Sequence, residues 1–208
     1  QGLVYVEAGV TTAKVARFCI KSGLRGAEFL AGIPGTMGGA LAMNAGCHGG
    51  ETWNLVSKVM TLDSHGELHQ RERDEFVASY RHVQMPNMDE WFVAAWLQLP
   101  AGDSAQAEAE MKQLLAKRLA TQPLNMPNAG STFRNPPGDH AARLIEACGL
   151  KGKVIGGAQI SEKHANFIVN LGNASARDIQ QLIDLMRDSV QEKFGVQLQQ
   201  EVKVLGQG

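Results

Sequence analysis

The run Gly32-Ile33-Pro34-Gly35-Thr36-Met37-Gly38-Gly39-Ala40, followed by Asn44-Ala45-Gly46 and Gly49-Gly50, constrains this chain more than any other segment. Seven of the 23 glycines fall within nineteen residues there. Glycine carries no Cβ and tolerates φ > 0, so such a run makes turns and lets backbone approach a flat or phosphorylated ligand closely. The spacing is neither G-x-G-x-x-G nor G-x-x-x-x-G-K-[ST], so the two common phosphate fingerprints do not apply. On glycine content alone, a structural crossover and a ligand loop are both open.

Composition narrows the classes. With 44% hydrophobic and 20% charged residues over 208 positions, the chain has the make-up of a globular protein with one large or two small cores. A net charge of −1 gives no basic field to attract nucleic acid or an anionic membrane. No apolar run has the length of a membrane span. Cys19, Cys47 and Cys148 are far apart and form no C-x-x-C pair, which fits a reducing compartment. His48, His65, His69, His82, His140 and His164 show no ligand spacing, so no metal site is expected. The chain opens at Gln1 and enters a strand at once, which suggests a fragment of something longer.

Leu3–Glu7 reads as that strand. Thr11 or Thr12 is placed to cap a helix carrying Val15, Ala16 and Cys19, with Gly23 as its stop. Beyond the glycine run, 58–62 and the residues after Gly66 flank a hairpin turn at Asp63-Ser64-His65-Gly66, and 92–99 reads as a buried strand. Residues 104–121 form an amphipathic helix with Ala107, Met111, Leu114, Leu115 and Leu119 on its stripe. Pro123 and Pro127 then interrupt the backbone, so a domain boundary is placed there. Next, Asp139 caps a short helix with Leu144, Ile145 and Cys148 inward, ended by Gly149. Strands are expected at 154–160 and 167–171, then a helix opened by a Ser175/Asp178 capping box and ended near Gly195. An alternating strand at 198–205 sets Glu201, Lys203 and Leu205 on one face.

Several polar residues stand in unusual places. Ser131 lies among turn formers in Asn128-Ala129-Gly130-Ser131-Thr132-Phe133-Arg134-Asn135; it is no G-x-S-x-G elbow, and a turn hydroxyl is its simplest reading. Arg81, after Ser79-Tyr80, reads as a surface cation that becomes an anion clamp only where carboxylate or phosphate chemistry is present. Glu201 reads as an exposed strand residue, and His164 and Asn166 as groups that satisfy backbone at a turn.

In order along the chain, 32–46, Ser79-Tyr80-Arg81-His82, Ala129-Gly130-Ser131-Thr132-Phe133, Gly149-Leu150-Lys151-Gly152, Gly156-Gly157-Ala158 and Glu201-Val202 closely resemble the UDP-N-acetylenolpyruvoylglucosamine reductase family, flavoenzymes of peptidoglycan precursor synthesis. The resemblance covers nearly the whole chain and is closest to the family's shorter subclass. It implies an α+β fold: the second half of a vanillyl-alcohol-oxidase-like FAD-binding domain at 1–122, an α+β substrate-binding domain at 123–197, and a C-terminal strand at 198–208 carrying Glu201. It implies FAD and NADPH as cofactors, with Gly32, Ile33, Pro34, Gly35, Thr36, Gly38, Gly39, Asn44 and Gly46 on the flavin. Ser131 is implied as proton donor with Arg81 and Glu201 as its charged companions, and Tyr80, Asn135, His164 and Asn166 as substrate contacts. The substrate implied is UDP-N-acetylglucosamine enolpyruvate, reduced by a cytoplasmic monomer with no nucleic-acid or membrane partner.

One departure accompanies the resemblance. The family's Asn-Thr segment and Gly-Gly-Gly-Ser-Asn motif, which hold much of the flavin, are absent from this sequence. Two other classes therefore stay in view: a ligand-binding module that kept the fold without catalysis, and another flavin oxidoreductase with the same type of flavin domain. Retention of Arg81, Ser131 and Glu201 together speaks for the reductase.

Overall fold

Val4 and Val6 alternate with exposed Leu3 and Tyr5 along β1 (Gly2–Glu7), the half-buried pattern of a strand with one face on a core. The computed structural model describes residues 2–206, and the chain divides into two units, Gln1–Arg118 and Leu119–Gly208.

In the first unit, α1 (Thr12–Lys21) buries Val15, Ala16, Cys19 and Ile20. Thr11 occupies its N-cap position without a side-chain cap bond, while the Thr12 hydroxyl donates to the Ile33 carbonyl; neither threonine caps as expected. Gly23, at φ 70°, turns the chain away just past the helix end. The glycine run holds a six-residue helix, α2 (Met37–Ala42), which the sequence reading missed because Gly38 and Gly39 argue against helix. It leads to β2 (Gly46–Cys47) and β3 (Gly50–Glu51). The expected hairpin is β4 (Val56–Asp63) and β5 (Leu68–Glu72), whose turn is fastened by Asp63 Oδ1 accepting from the His65 and Glu67 amides at 2.9 Å. Strands β6 (Val77–Ser79) and β7 (His82–Gln84) form a small hairpin, and β8 (Glu90–Leu99) is the expected buried strand.

The main sheet is antiparallel in the order β1-β8-β4-β5, so β1 is an edge strand. Its core joins Val4, Val6, Val59, Leu97 and Leu99 to the α1 stripe, Met37, Leu41 and Trp53. Helix α3 (Ser104–Thr121) has the expected bounds but a weaker stripe: Ala107 and Met111 are buried, whereas Leu119 is 60% exposed.

The second unit has its own core of Phe133, Leu144, Ile145, Ile160, Ile168, Leu182, Ile183, Met186 and Val190. Helix α4 (Ala141–Ala147) starts two residues after Asp139, which is not its cap; that carboxylate is engaged by the Arg143 guanidinium and the His140 amide. Asn135 Oδ1 accepts from the Ala141 amide at 3.1 Å instead. The strand expected at 154–160 is broken by Gly156-Gly157 into β9 (Val154–Ile155) and β10 (Ala158–Ile160), with β11 (Ile168–Asn170) completing the order β11-β10-β9. Helix α5 (Ala176–Phe194) opens on the expected Ser175/Asp178 capping box and closes on Gly195 at φ 67°. The C-terminal strand does not form: 198–205 makes one bridge, Phe133 with Gln200, and runs on irregularly with Leu205 90% exposed. Residues 207–208 of that expected element, and Gln1, lie outside the described residues.

Ser175→Ala removes the hydroxyl that accepts from the Asp178 amide. It should destabilise the second unit by about 1 kcal/mol, measured by urea unfolding followed by circular dichroism.

Candidate active-site segments and their anchors

In the first unit, the glycine run is fixed by backbone bonds before any ligand is considered. The Met37 and Gly38 amides donate to Val10 and Ala8 carbonyls at 2.9 Å, and the Thr12 amide donates to Gly35 O at 3.2 Å. The glycines then separate by what a Cβ would meet. At Gly38 it would press on Ala8, at Gly32 on Cys47 Sγ, and at Gly46 on the Gly50 carbonyl, so packing demands these three. At Gly35, with φ 101°, and at Gly39 a Cβ meets nothing within 4 Å, so protein packing does not explain them. Pro34, Gly35 and Gly39 are exposed and Thr36 is half-buried, whereas Ile33 belongs to the core. An exposed, side-chain-free surface of this kind fits a planar cofactor lying on backbone.

Arg81 sits at the tip of the β6–β7 hairpin at φ 54°, in the left-handed region. Its Nη2 donates to Gly46 O at 2.9 Å, and its guanidinium lies 4.9 Å from the centre of the exposed Tyr80 ring. Asn44 (φ 41°) and His48 (φ 53°) share this conformation, and among the described residues no other non-glycine does. The three strained positions belong to one neighbourhood. Asn44, 1% exposed, donates from Nδ2 to Ser79 O at 3.0 Å and Glu51 Oε2 at 2.9 Å, and its Oδ1 accepts from the Trp53 amide at 3.1 Å. Clustered strain in non-glycine residues is a mark of functional sites.

In the second unit, Ser131 follows Gly130 (φ 90°) and is half-buried. The next residues form an extended strip gripped on both sides. Asn166, 3% exposed, donates from Nδ2 to Phe133 O at 2.8 Å and accepts on Oδ1 from Phe133 N at 3.0 Å, while its own carbonyl accepts from Thr132 N at 2.8 Å. On the other side Glu201 N donates to Thr132 O, and Arg134 N to Gln199 O, both at 2.8 Å. Glu201 is thus half-buried and fastened to the neighbour of Ser131, not set on the edge of an alternating strand.

His164 is half-buried against Phe167, with ring centres 4.8 Å apart. Its Nδ1 accepts from the Asn166 amide at 3.3 Å, which leaves the proton on Nε2. Burial, helped by Lys151, holds its pKa below the usual 6.5. Asn135 is exposed. Asn44 and Asn166 are therefore occupied by protein partners; the sequence signal was present, since both are asparagines inside turn-rich segments, but their partners lie up to 35 residues away. Among the described residues no cluster of three or more His, Cys, Asp or Glu side chains forms a metal site.

Comparison with known proteins supplies the frame. The C-terminal domain of UDP-N-acetylenolpyruvoylglucosamine reductase matches residues 122–205, and an FAD binding domain matches residues 1–71. UDP-N-acetylenolpyruvoylglucosamine reductases from Alkalilimnicola ehrlichii and Methylococcus capsulatus are 56% and 58% identical over 98% of this chain, which covers 68% and 67% of their lengths. The chain belongs to the UDP-N-acetylenolpyruvoylglucosamine reductase family. The Thiobacillus denitrificans enzyme is 55% identical over 99% of this chain, and the chain spans 64% of its length. The crystal structure of the Thermus caldophilus reductase superposes with a TM-score of 0.84 at 34% identity, covering 95% of this chain and 71% of that one. The chain accordingly combines part of a flavin-binding domain with the family's C-terminal domain. The resemblance drawn from the motifs holds.

Because its folded-state pKa is depressed, the stability His164 contributes is present above pH 6.5 and is lost as pH falls through the folded value. Its imidazole should remain neutral at neutral pH, read from ring nitrogen chemical shifts, and His164→Gln should flatten that part of the acid limb of stability.

Proposed function

We propose that this chain carries the substrate-reducing machinery of a UDP-N-acetylenolpyruvoylglucosamine reductase, acting on UDP-N-acetylglucosamine enolpyruvate with electrons from NADPH. The observation that carries this reading is the bond from the Glu201 amide to Thr132 O, which holds a carboxylate-bearing residue next to Ser131 inside the domain that matches the family.

The reaction adds a hydride to C3 and a proton to C2 of the enolpyruvyl double bond. Bound FAD supplies the chemistry of accepting hydride from NADPH and donating it to carbon; Gly35, Thr36 and Gly39 are the residues of the glycine run available to hold it. As hydride arrives at C3, negative charge spreads over C2 and the adjacent carboxylate. The Arg81 guanidinium offers a planar fork to that carboxylate, and a donor set in advance against developing charge is worth about 2.7–4 kcal/mol. Ser131 delivers its hydroxyl proton to C2. A serine hydroxyl is a weak acid, so its loss of a proton needs a relay, and Glu201 is the ionisable group fastened beside it. His164, neutral and protonated on Nε2, offers a hydrogen-bond donor to the substrate, as do Asn135 and Tyr80. Asn166 serves this site by holding the strip that bears Ser131.

Three measurements bear on the reading. The 208-residue chain, with only part of a flavin domain, should bind FAD more weakly than about 1 μM in equilibrium dialysis; tighter binding would show that the residues present suffice. In protein extended to its relatives' length, Ser131→Ala should leave flavin reduction by NADPH nearly intact and slow reoxidation by the enolpyruvyl substrate about a hundredfold or more in stopped-flow absorbance. Equal slowing of both half-reactions, or of neither, would contradict a dedicated proton donor. Arg81→Lys keeps the charge and loses the fork, so reoxidation should again fall about a hundredfold; near-normal turnover would reduce Arg81 to diffuse positive charge.

A further inference from the structure

Asn44 and Arg81 close a ring of hydrogen bonds in the first unit. The Asn44 Nδ2 donates to Ser79 O at 3.0 Å, just ahead of the arginine, and the Arg81 Nη2 donates back to Gly46 O at 2.9 Å, just beyond the asparagine. The stretches 44–46 and 79–81 are thus tied to each other at both ends. Glu51, paired with Gly46 across β2 and β3, takes the second Nδ2 hydrogen on Oε2 at 2.9 Å, and the Trp53 amide donates to Oδ1 at 3.1 Å. Between the anchors, the Ala45 carbonyl accepts from the amide and the hydroxyl of buried Thr52 at 3.0 and 2.7 Å.

The place of Asn44 at the end of α2 does not ask for these bonds. A left-handed residue just past the C-cap Met43 stops a helix, and glycine does that with no side chain at all. Here a buried amide gives both of its hydrogens to protein acceptors. What those bonds fix is the hairpin tip: the backbone root of Arg81 through Ser79, and the β2–β3 pair whose Gly46 carbonyl receives the guanidinium. An arginine side chain has several rotatable bonds, and its planar fork grips a carboxylate with two parallel bonds only when it is held in one plane. With Nη2 on Gly46 O and the Tyr80 ring 4.9 Å away, that plane is set before substrate arrives. A misplacement of about 1 Å in such a group can cost about a hundredfold in rate.

We propose that Asn44 is a positioning residue for Arg81, and that it acts on reduction of the enolpyruvyl group through the arginine and not through the flavin. This rests on the functional reading above, in which Arg81 takes the substrate carboxylate. Asn44 holds the donor fork where the carboxylate will lie, and Glu51 in turn holds the asparagine amide.

Asn44→Asp tests this, because it keeps the shape and the acceptor for the Trp53 amide but sets an oxygen against Ser79 O and Glu51 Oε2. In the 208-residue chain, with neither flavin nor substrate, the Arg81 guanidinium should pass from hindered to faster rotation in nitrogen NMR spectra, its signal assigned by its loss in Arg81→Lys. In protein extended to its relatives' length and loaded with FAD, Asn44→Asp should slow flavin reoxidation by the enolpyruvyl substrate about tenfold or more and leave reduction by NADPH nearly intact. In the Arg81→Lys background the same change should cost less than about twofold, because effects that run through a shared partner do not add. Asn44→Gly accepts the left-handed backbone and should repeat the pattern, which keeps the test open if the aspartate variant does not fold. An undiminished cost in the Arg81→Lys background, equal slowing of both half-reactions, or an unchanged Arg81 signal overturns the assignment and leaves the functional reading standing. Near-normal turnover in Arg81→Lys itself counts against the functional reading and removes the assignment with it.

Discussion

The side chain of Asn166 bonds both the N–H and the C=O of Phe133, and the second unit depends on that exchange. An asparagine amide presents a donor and an acceptor side by side, so it pairs with a peptide much as a neighbouring strand would. Phe133 is thereby fixed in the core while Ser131 and Arg134 keep defined positions around it. Buried at 3% exposure, the asparagine has no water to fall back on, so loss of either bond leaves a peptide group unsatisfied in the interior. The arrangement needs no regular sheet at this point. One asparagine and one bridge residue replace two flanking strands.

Asn44 does the same work in the first unit by a different route. Its three side-chain bonds join the end of the glycine run to Trp53 and to the hairpin that carries Arg81. The left-handed backbone at Asn44, His48 and Arg81 is costly for residues with a Cβ, on the order of 1–3 kcal/mol each, and is maintained only where surroundings over-determine it. The Asn44 bonds and the Arg81 bond to Gly46 O are such surroundings.

What was legible in the sequence was local. The Ser175/Asp178 box, the Gly195 stop and the Asp63 turn were readable because each is closed within a few residues. Asp139 misled for the same reason: its position suited a cap, but Arg143, one turn later, competes for the carboxylate and wins. The alternation of 198–205 suggested a strand, and what it lacked was a partner beyond Gln200, which no pattern within the segment records. The glycines of the run at 32–50 looked alike in sequence, yet Gly38 answers to Ala8 and Gly39 to no protein atom. Asn44 and Asn166 were marked as important, but their partners lie across the fold, so anchoring and ligand contact could not be told apart.

The edge position of β1 carries a consequence for how this chain behaves in concentrated solution. Along one side its backbone groups are not engaged by the sheet, and Leu3 and Tyr5 present exposed apolar surface. A short ribbon with unused peptide groups and oily side chains is a template for strand addition. Neither Lys nor Pro, the usual guards of such an edge, occurs between Gly2 and Glu7. Leu3 and Tyr5 lie in a different unit from Ser131 and Glu201, so a charge placed on this edge acts on association and leaves the chemistry of the second unit unaltered.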